Sequence, residues 1–230
     1  MVFTDPPYNV SYRAPGLGVG IANDNLGKDF DVFLENACRQ MLQNCQGALY
    51  ICMSSSELHT LYNAFTKAGG HWSTFLIWGK QTFTLGRADY QRQFEPILYG
   101  WREGIQHYWC GARNQGDLWL IDRPSANDLH PTMKPVELVE RAIMNSSRRG
   151  EIVLDPFAGS GSTLIACEKA GRTARLIEIE PRYCDVIIRR WEEFTGKEAC
   201  LGSGGPTFAE ISGERTDTHV ASHDNLVETA

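Results

Sequence analysis

Residues 152–178 read IVLDPFAGSGSTLIACEKAGRTARLIE, and this stretch decides the fold. Ile152-Val153-Leu154 is a short continuous apolar run, the pattern of a strand buried on both faces. The run Asp155-Pro156-Phe157-Ala158-Gly159-Ser160-Gly161 breaks it. A helix then follows from Gly161 to Ala170, and Gly171 supplies its stop. Thr173 to Ile179 returns to a strand pattern, ending at the acid Glu178. A strand, a tight loop, a helix and a second strand make one unit of a parallel sheet. Gly159 and Gly161 let the backbone turn sharply and approach a ligand, with main-chain N–H groups turned toward a carboxylate or sugar. The loop has no lysine for a phosphate-binding motif and lacks the dinucleotide Gly-x-Gly-x-x-Gly spacing. Glu178 sits where an acid can bond both hydroxyls of a ribose. Strand alternation turns its neighbour Glu180 elsewhere.

Outward from this unit the alternation continues. Pro135–Ser147 predicts a helix with proline in its first turn, and Pro181–Phe194 predicts another. Toward the N-terminus, Met1–Thr4 predicts a short strand and 9–27 a loop rich in Gly, Asn and Pro. Asp29–Cys45 carries apolar residues at Phe30, Phe33, Leu34, Ala37, Met41 and Leu42, a helical period. Gly47–Met53 predicts a buried strand, and Ser56–Ala68 a helix capped by Ser55 or Ser56 and closed by Gly69-Gly70. Trp72–Trp78 and Phe94–Trp101 predict strands. Residues 79–127 read as an irregular insertion dense in aromatic and basic side chains. Residues 201–230 show little periodicity and predict a flexible tail. The pattern is an α/β chain: an open, mostly parallel sheet with helices on both faces, its ligand sites at the carboxyl ends of the strands.

Composition narrows the class. The chain has 230 residues, 42% hydrophobic and 22% charged, ordinary for one globular domain. No run approaches the roughly 20 apolar residues of a membrane helix, and Met1-Val2-Phe3-Thr4 has no basic region of a signal peptide. These features predict a cytoplasmic protein with no membrane partner. Seven cysteines occur, with no Cys-x-x-Cys pair, which predicts free thiols and no metal site. The formal net charge of −6 opposes a nucleic-acid partner on average. Five acids and one arginine fall in 201–230, however, so most of that charge lies in the tail.

A second strand end carries unusual chemistry. Thr4-Asp5-Pro6-Pro7-Tyr8-Asn9 follows the first strand. Pro6 and Pro7 fix the backbone and remove two N–H donors, leaving rigid carbonyl acceptors. Asp5 adds a carboxylate and Tyr8 an aromatic face. An exocyclic amine on a base presents two N–H donors and a π face. Asp5 and the Pro6 carbonyl suit the hydrogens, and Tyr8 suits the ring. Acceptors held at the N–H groups favour the positive charge that develops on nitrogen during alkylation. No covalent enzyme intermediate is needed, and a base in a duplex must be flipped out.

With these residues in view, the chain resembles the beta group of DNA amino-methyltransferases, in which an Asp-Pro-Pro-Tyr motif precedes the cofactor loop. The carriers are TDPPYN at 4–9, HPTMKP at 130–135, LDPFAGSGST at 154–163 and IEIEPRY at 177–183, in order across residues 1–200. GRADY at 86–90 and IDRPS at 121–125 are similar to stretches of phage- and prophage-associated members. The resemblance implies a Rossmann-like fold that uses S-adenosylmethionine to methylate double-stranded DNA at adenine, as in restriction–modification. It places residues 79–127 as the target-recognition region. Asp5, Pro6, Pro7 and Tyr8 would hold the target base. Asp155, Phe157, Ala158, Gly159, Gly161, Ser162 and Thr163 would form the cofactor pocket, with Glu178 on the ribose. His130, Thr132 and Lys134 would lie near the methionine end of the cofactor, where an ammonium suits the carboxylate.

The chain departs from the family in one respect. Members carry a further strand and helix before the Asp-Pro-Pro-Tyr strand, and here Asp5 follows only four residues. A chain that binds cofactor or DNA without turnover therefore stands beside the enzyme. A cytosine-N(4) enzyme is the other alternative, and the Asp at position 5 favours adenine over it. Dimers occur in the family, and an uncovered sheet edge promotes association, so a homodimer is an expectation.

Overall fold

The computed structural model describes residues 1–10, 24–86, 88–123 and 133–213. Seven strands form one sheet: β1 (Val2–Thr4), β2 (Leu49–Cys52), β3 (Gly70–Thr84), β4 (Arg92–Arg102), β5 (Leu118–Leu120), β6 (Ile152–Asp155) and β7 (Thr173–Leu176). Their order is β5-β3-β4-β2-β1-β6-β7. β4 is antiparallel to β2 and β3, and the other neighbours are parallel, so β4 alone runs against the rest. Among the described residues five longer α-helices accompany the sheet, besides a short one at 208–213: α1 (Phe30–Asn44), α2 (Leu58–Lys67), α3 (Val136–Ser146), α4 (Ser162–Ala170) and α5 (Pro181–Thr195).

The apolar runs of the central strands are explained by helices on both faces. Phe3, Tyr50, Cys52, Ile97 and Tyr99 pack with residues of α3 and α4. Val2, Leu49, Ile51 and Leu98 pack with residues of α1 and α2. Neighbours along one strand thus enter opposite cores, as the period-two alternation of Cβ requires. The expected α/β architecture is the observed one, and the helix boundaries fall within a residue or two of the sequence expectation. One cap differs: Ser54, not Ser55 or Ser56, accepts from the Ser56 N–H at the turn before α2.

Residues 79–127 require correction. Much of the stretch belongs to the sheet. β3 runs on to Thr84 and β4 begins at Arg92, so the two strands project beyond the core as an antiparallel ribbon, and β5 lies parallel to β3. The ribbon hid from sequence reading because both its faces meet solvent, which removes the apolar alternation. Gln81, Thr82, Phe83, Arg92, Gln93 and Phe94 are all exposed. β5 approaches β3 closely at Gly79, where a Cβ would stand 2.7 Å from Leu120 Cδ2 and turn that side chain aside.

The tail expectation also changes. Residues 200–213 fold back on the body, with Phe208 N–H donating to the Ala199 carbonyl at 2.8 Å. The Arg189 guanidinium lies 5.5 Å from the Phe208 ring centroid, and 208–213 are helical. The rest of the expected tail, 214–230, lies outside the described residues. All seven cysteines are free thiols. Among the described residues no helix is long and apolar enough to cross a membrane.

The parallel strands direct the ends of β1, β2, β6 and β7 to one edge. Because β4 is reversed, its beginning lies on that edge too, beside the late residues of β3. Asp5, Ser54, Lys80, Glu95, Asp155 and Glu178 are gathered there from six separate segments.

Candidate functional site

A cleft of about 660 Å³ opens along this edge. Asp5, Pro6, Pro7 and Tyr8 line one part of it, and Phe157, Ala158, Gly159 and Glu178 line the other. The two strand-end motifs therefore share one cavity, of a size suited to a nucleoside and more.

The glycine loop is fastened from below. Asp155 is buried and accepts from Thr4 Oγ1 at 2.8 Å, Thr163 Oγ1 at 2.6 Å and the Phe157 N–H at 3.1 Å. Ser162 Oγ donates to the Lys134 carbonyl at 2.7 Å. Asp155, Ser162 and Thr163, expected in the cofactor pocket, all line the cleft, and their side chains also tie β1, β6, α4 and the segment before α3 together. Gly161 takes φ +78°, and a Cβ there would stand 3.0 Å from Ile187 of α5. That position demands glycine on both conformational and steric grounds. Phe157 is braced edge-on by Phe33 of α1, with ring centroids 5.9 Å apart.

Glu178 lies two residues beyond the end of β7, which stops at Leu176 rather than at Ile179 as expected. Its Oε2 accepts from the Gly159 N–H at 2.8 Å and its Oε1 from the Glu180 N–H at 2.9 Å. Each oxygen keeps a further lone pair for a hydroxyl. Glu180 instead meets Arg182 Nε at 3.1 Å. Both acids line the cleft, and Glu178 is the one that holds the Gly159 N–H.

Burial gives Asp155 an electrostatic signature. It raises the carboxyl to about 6, above the ordinary 3.8, against the pull of the Thr163, Thr4 and Phe157 donors. An acid whose folded pKa is raised stabilises the fold fully below its unfolded value. That contribution is lost as pH rises through the folded one. The window is therefore about pH 4 to 6, and the loss is roughly 3 kcal/mol at most. Asp155→Asn should flatten this slope: urea midpoints at pH 4 and pH 7 should differ less for the variant than for the parent chain. Equal pH dependence would contradict the assignment.

At the base edge the motif residues are joined by charge. Tyr8 Oη donates to Asp5 Oδ1 at 2.5 Å. Lys134 Nζ donates to Asp5 Oδ2 at 2.6 Å and to Tyr8 Oη at 3.1 Å. The loop carrying Tyr8 is pinned by Asp24, which accepts from the Tyr8 N–H at 2.8 Å. Asn9, at φ +57°, accepts from the Leu26 and Gly27 N–H groups, each at 2.9 Å. Lys134 was expected at the carboxylate of the cofactor. Its buried ammonium meets Asp5 at 2.6 Å and lines the cleft. His130 and Thr132 lie outside the described residues.

Two site residues escaped the sequence reading. Glu95 of β4 meets Lys134 Nζ at 3.1 Å through Oε2 and Lys80 Nζ at 2.5 Å through Oε1. Its Oε2 also lies 3.3 Å from Tyr8 Oη, whose proton goes to Asp5. The signal was present: a lone carboxylate opens the apolar run Ile97-Leu98-Tyr99. The pairs push the two carboxylates in opposite directions. Burial works to raise Glu95, but Lys134 and Lys80 outweigh it and hold its carboxyl at about 2. Burial works to lower Lys134, but Asp5 and Glu95 outweigh it and push the ammonium up. Asp5 moves the other way from Glu95: burial lifts it above the usual range despite Lys134. Two carboxylates whose affinities are driven apart divide the work, one a permanent anion and the other able to take a proton.

Among the described residues no cluster of His, Cys, Asp and Glu could hold a metal ion. Lys80, Arg92 and Arg123 also line the cleft, and Arg92 Nη1 donates to Ser54 Oγ at 3.2 Å.

Comparison with known proteins gives the family and the fold. Residues 1–189 match the family N6_N4_Mtase, described as DNA methylase. The chain is 27% identical over 226 residues to the type II methyltransferase M.HpaI of Haemophilus parainfluenzae, covering 85% of this chain and 69% of that protein. It is 28% identical over 225 residues to the DNA adenine methyltransferase YhdJ of Escherichia coli K12, covering 83% of this chain and 75% of that protein. Among solved structures it superposes on an M1.HpyAVI–SAM complex with TM-score 0.65 and 24% identity, covering 83% of this chain and 87% of the other. It also superposes on the cytosine-N4-specific PvuII DNA methyltransferase with TM-score 0.63 and 16% identity, covering 85% and 82%. These two likenesses bear on the fold.

Proposed function

Since the chain belongs to the DNA methylase family matched over residues 1–189, we propose that it transfers a methyl group from S-adenosylmethionine to the exocyclic amine of adenine in double-stranded DNA. The observation that carries this reading is the single cleft in which Asp5, Pro6 and Tyr8 face Gly159 and Glu178. A ribose-binding acid and a set of amine acceptors in one cavity suit a nucleoside donor and an amine acceptor together.

The residues fit S-adenosylmethionine. Glu178 offers a lone pair on each oxygen for the two ribose hydroxyls, and Gly159 and Gly161 let the loop pass close beside it. When bound, the sulfonium supplies an electrophilic methyl group. The chain's own residues do the rest. Asp5 and the Pro6 carbonyl accept the two amine hydrogens, and the Tyr8 ring holds the flipped base. With the donor held by Glu178 and the glycine loop, its methyl group would pass to the amine nitrogen while the carbon–sulfur electron pair stayed with sulfur. The cationic nitrogen sheds one N–H proton to the Asp5 carboxylate, leaving a methylamino base and a neutral carboxyl group. Preorganised acceptors stabilise the positive charge while it forms, and alignment of the reactants supplies much of the remaining acceleration.

Aspartate at position 5 supports adenine over cytosine, as does the likeness to YhdJ, itself an adenine enzyme. The β3–β4 ribbon supports DNA as substrate. Exposed Phe83 and Tyr90 stand beyond the cleft, and Arg92 and Arg123 lining it suit phosphates or guanine edges. The test is incubation with S-adenosylmethionine and unmethylated genomic DNA, followed by digestion and mass spectrometry of nucleosides. N6-methyladenine is the expected product. N4-methylcytosine would overturn the choice of base. Donor binding with no modified base would replace the enzyme with a binding protein.

A further inference from the structure

The proposed chemistry uses Asp5, Pro6 and Tyr8 and leaves a buried charge pair unexplained. Glu95 and Lys80 come from β4 and β3, far in sequence from the motifs, yet Glu95 joins Lys80 to Lys134, the lysine that contacts Asp5. Side-chain exposure is 8% for Lys80, 9% for Lys134 and 21% for Glu95. Charges are costly to hold at such depth unless every one is matched. Here two anions, Asp5 and Glu95, face two cations, Lys134 and Lys80, and the group is neutral.

We propose that Glu95 is a positioning residue for methyl transfer: by holding Lys134 and Lys80, it keeps the base edge neutral and leaves Asp5 free to accept from the target amine. The inference rests on the amino-methyltransferase reading above. Its physical core is charge balance. The nitrogen becomes positive during transfer, beside a donor that is already cationic. Without Glu95, two ammonium groups would oppose a single carboxylate and leave a net positive charge against the forming cation. Lys134 would also turn wholly to Asp5, drawing off the lone pairs that the amine needs. Glu95 prevents both by sharing Lys134 across its two contacts, 2.6 Å to Asp5 and 3.1 Å to Glu95.

The groups acting on Asp5 come from every side of the edge. Tyr8 and Lys134 touch it, and Glu95 of β4 acts on it at longer range. Asp155 of β6 and the Cys52 thiol of β2 also sense it. Among these, Glu95 is the anion that two lysines keep ionised, so its removal changes the charge seen by Asp5 at every pH of interest. Losing that anion makes Asp5 a weaker base and moves the acid limb of the rate profile, where Asp5 protonates, to lower pH.

The experiment is the single-turnover rate of methyl transfer at saturating S-adenosylmethionine and DNA, followed from pH 5 to 9, for the full chain and three variants. Glu95→Gln should lower the rate about 10- to 100-fold at neutral pH and move the acid limb down. Glu95→Asp should restore part of the rate. The double variant Glu95→Gln with Lys80→Met is neutral again and should recover most of the loss. A merely structural pair predicts the opposite, a double variant worse than the single one. A Glu95→Gln rate near wild type, an unmoved acid limb, or a double variant slower than the single one would each overturn the proposal. A parent chain that methylates no DNA overturns the underlying function, and this inference with it.

Discussion

Replacing Asp5 with alanine is expected to lower the rate of methyl transfer by about 1,000-fold while leaving the fold and donor binding in place. Asp5 is the one ionised acceptor of the motif, and removing a single preorganised group from a site of this kind costs about 10²–10³ in kcat. Its loss as proton acceptor adds to that. The structure also says why the variant should fold. Lys134 keeps a partner in Glu95, 3.1 Å away, so no buried ammonium is stranded, the outcome that makes such truncations destabilising. Glu178 and the glycine loop approach from β6 and β7 and do not touch Asp5. Rapid-quench kinetics on one turnover and thermal melting of the same preparation would check both halves. A variant that keeps a tenth of the parent rate would show that Asp5 does not carry the chemistry.

Replacing Glu178 with alanine is expected to act on the other half of the site. Hydrogen bonds from ribose hydroxyls to a carboxylate contribute about 1.5–3 kcal/mol each. Loss of two of them should weaken donor binding by about 100-fold or more. Glu178 also accepts from the Gly159 and Glu180 N–H groups, so the variant loosens the loop on which Gly159 lies. Glu178→Gln should be intermediate, since one carbonyl oxygen remains but an amide donor faces one of those N–H groups. Calorimetric titration with S-adenosylmethionine would measure the effect. Unchanged affinity would move the ribose elsewhere in the cleft.

Both residues were legible in the sequence because each sits at the end of a strand beside a local signal. Gly159 and Gly161 mark a loop that must turn, and Glu178 follows one strand–helix unit later. Asp5 precedes two prolines that no regular element accommodates. What such reading misses is pairing across the chain. Lys134, next to a proline before a helix, gave no sign that its ammonium would sit 2.6 Å from Asp5, 129 residues away. Glu95 becomes visible as a site residue only when reversal of β4 brings its start to the edge where the parallel strands end. The ribbon of β3 and β4 failed for a different reason. Solvent on both faces leaves no hydrophobic period, and polar contacts such as Gln93 Nε2 on the Lys80 carbonyl join the strands where Thr84 lies opposite Arg92.

The division of labour along the cleft has one direct test: the single-turnover transfer rate measured as a function of S-adenosylmethionine concentration for the parent chain, Asp5→Ala and Glu178→Ala. The account predicts a crossed result. Asp5→Ala should saturate at the parent's donor concentration with a rate about 1,000-fold lower. Glu178→Ala should need about 100-fold more donor and then approach the parent rate. Two variants that lose rate and affinity together, in the same proportion, would contradict the separation of a base edge from a nucleotide edge.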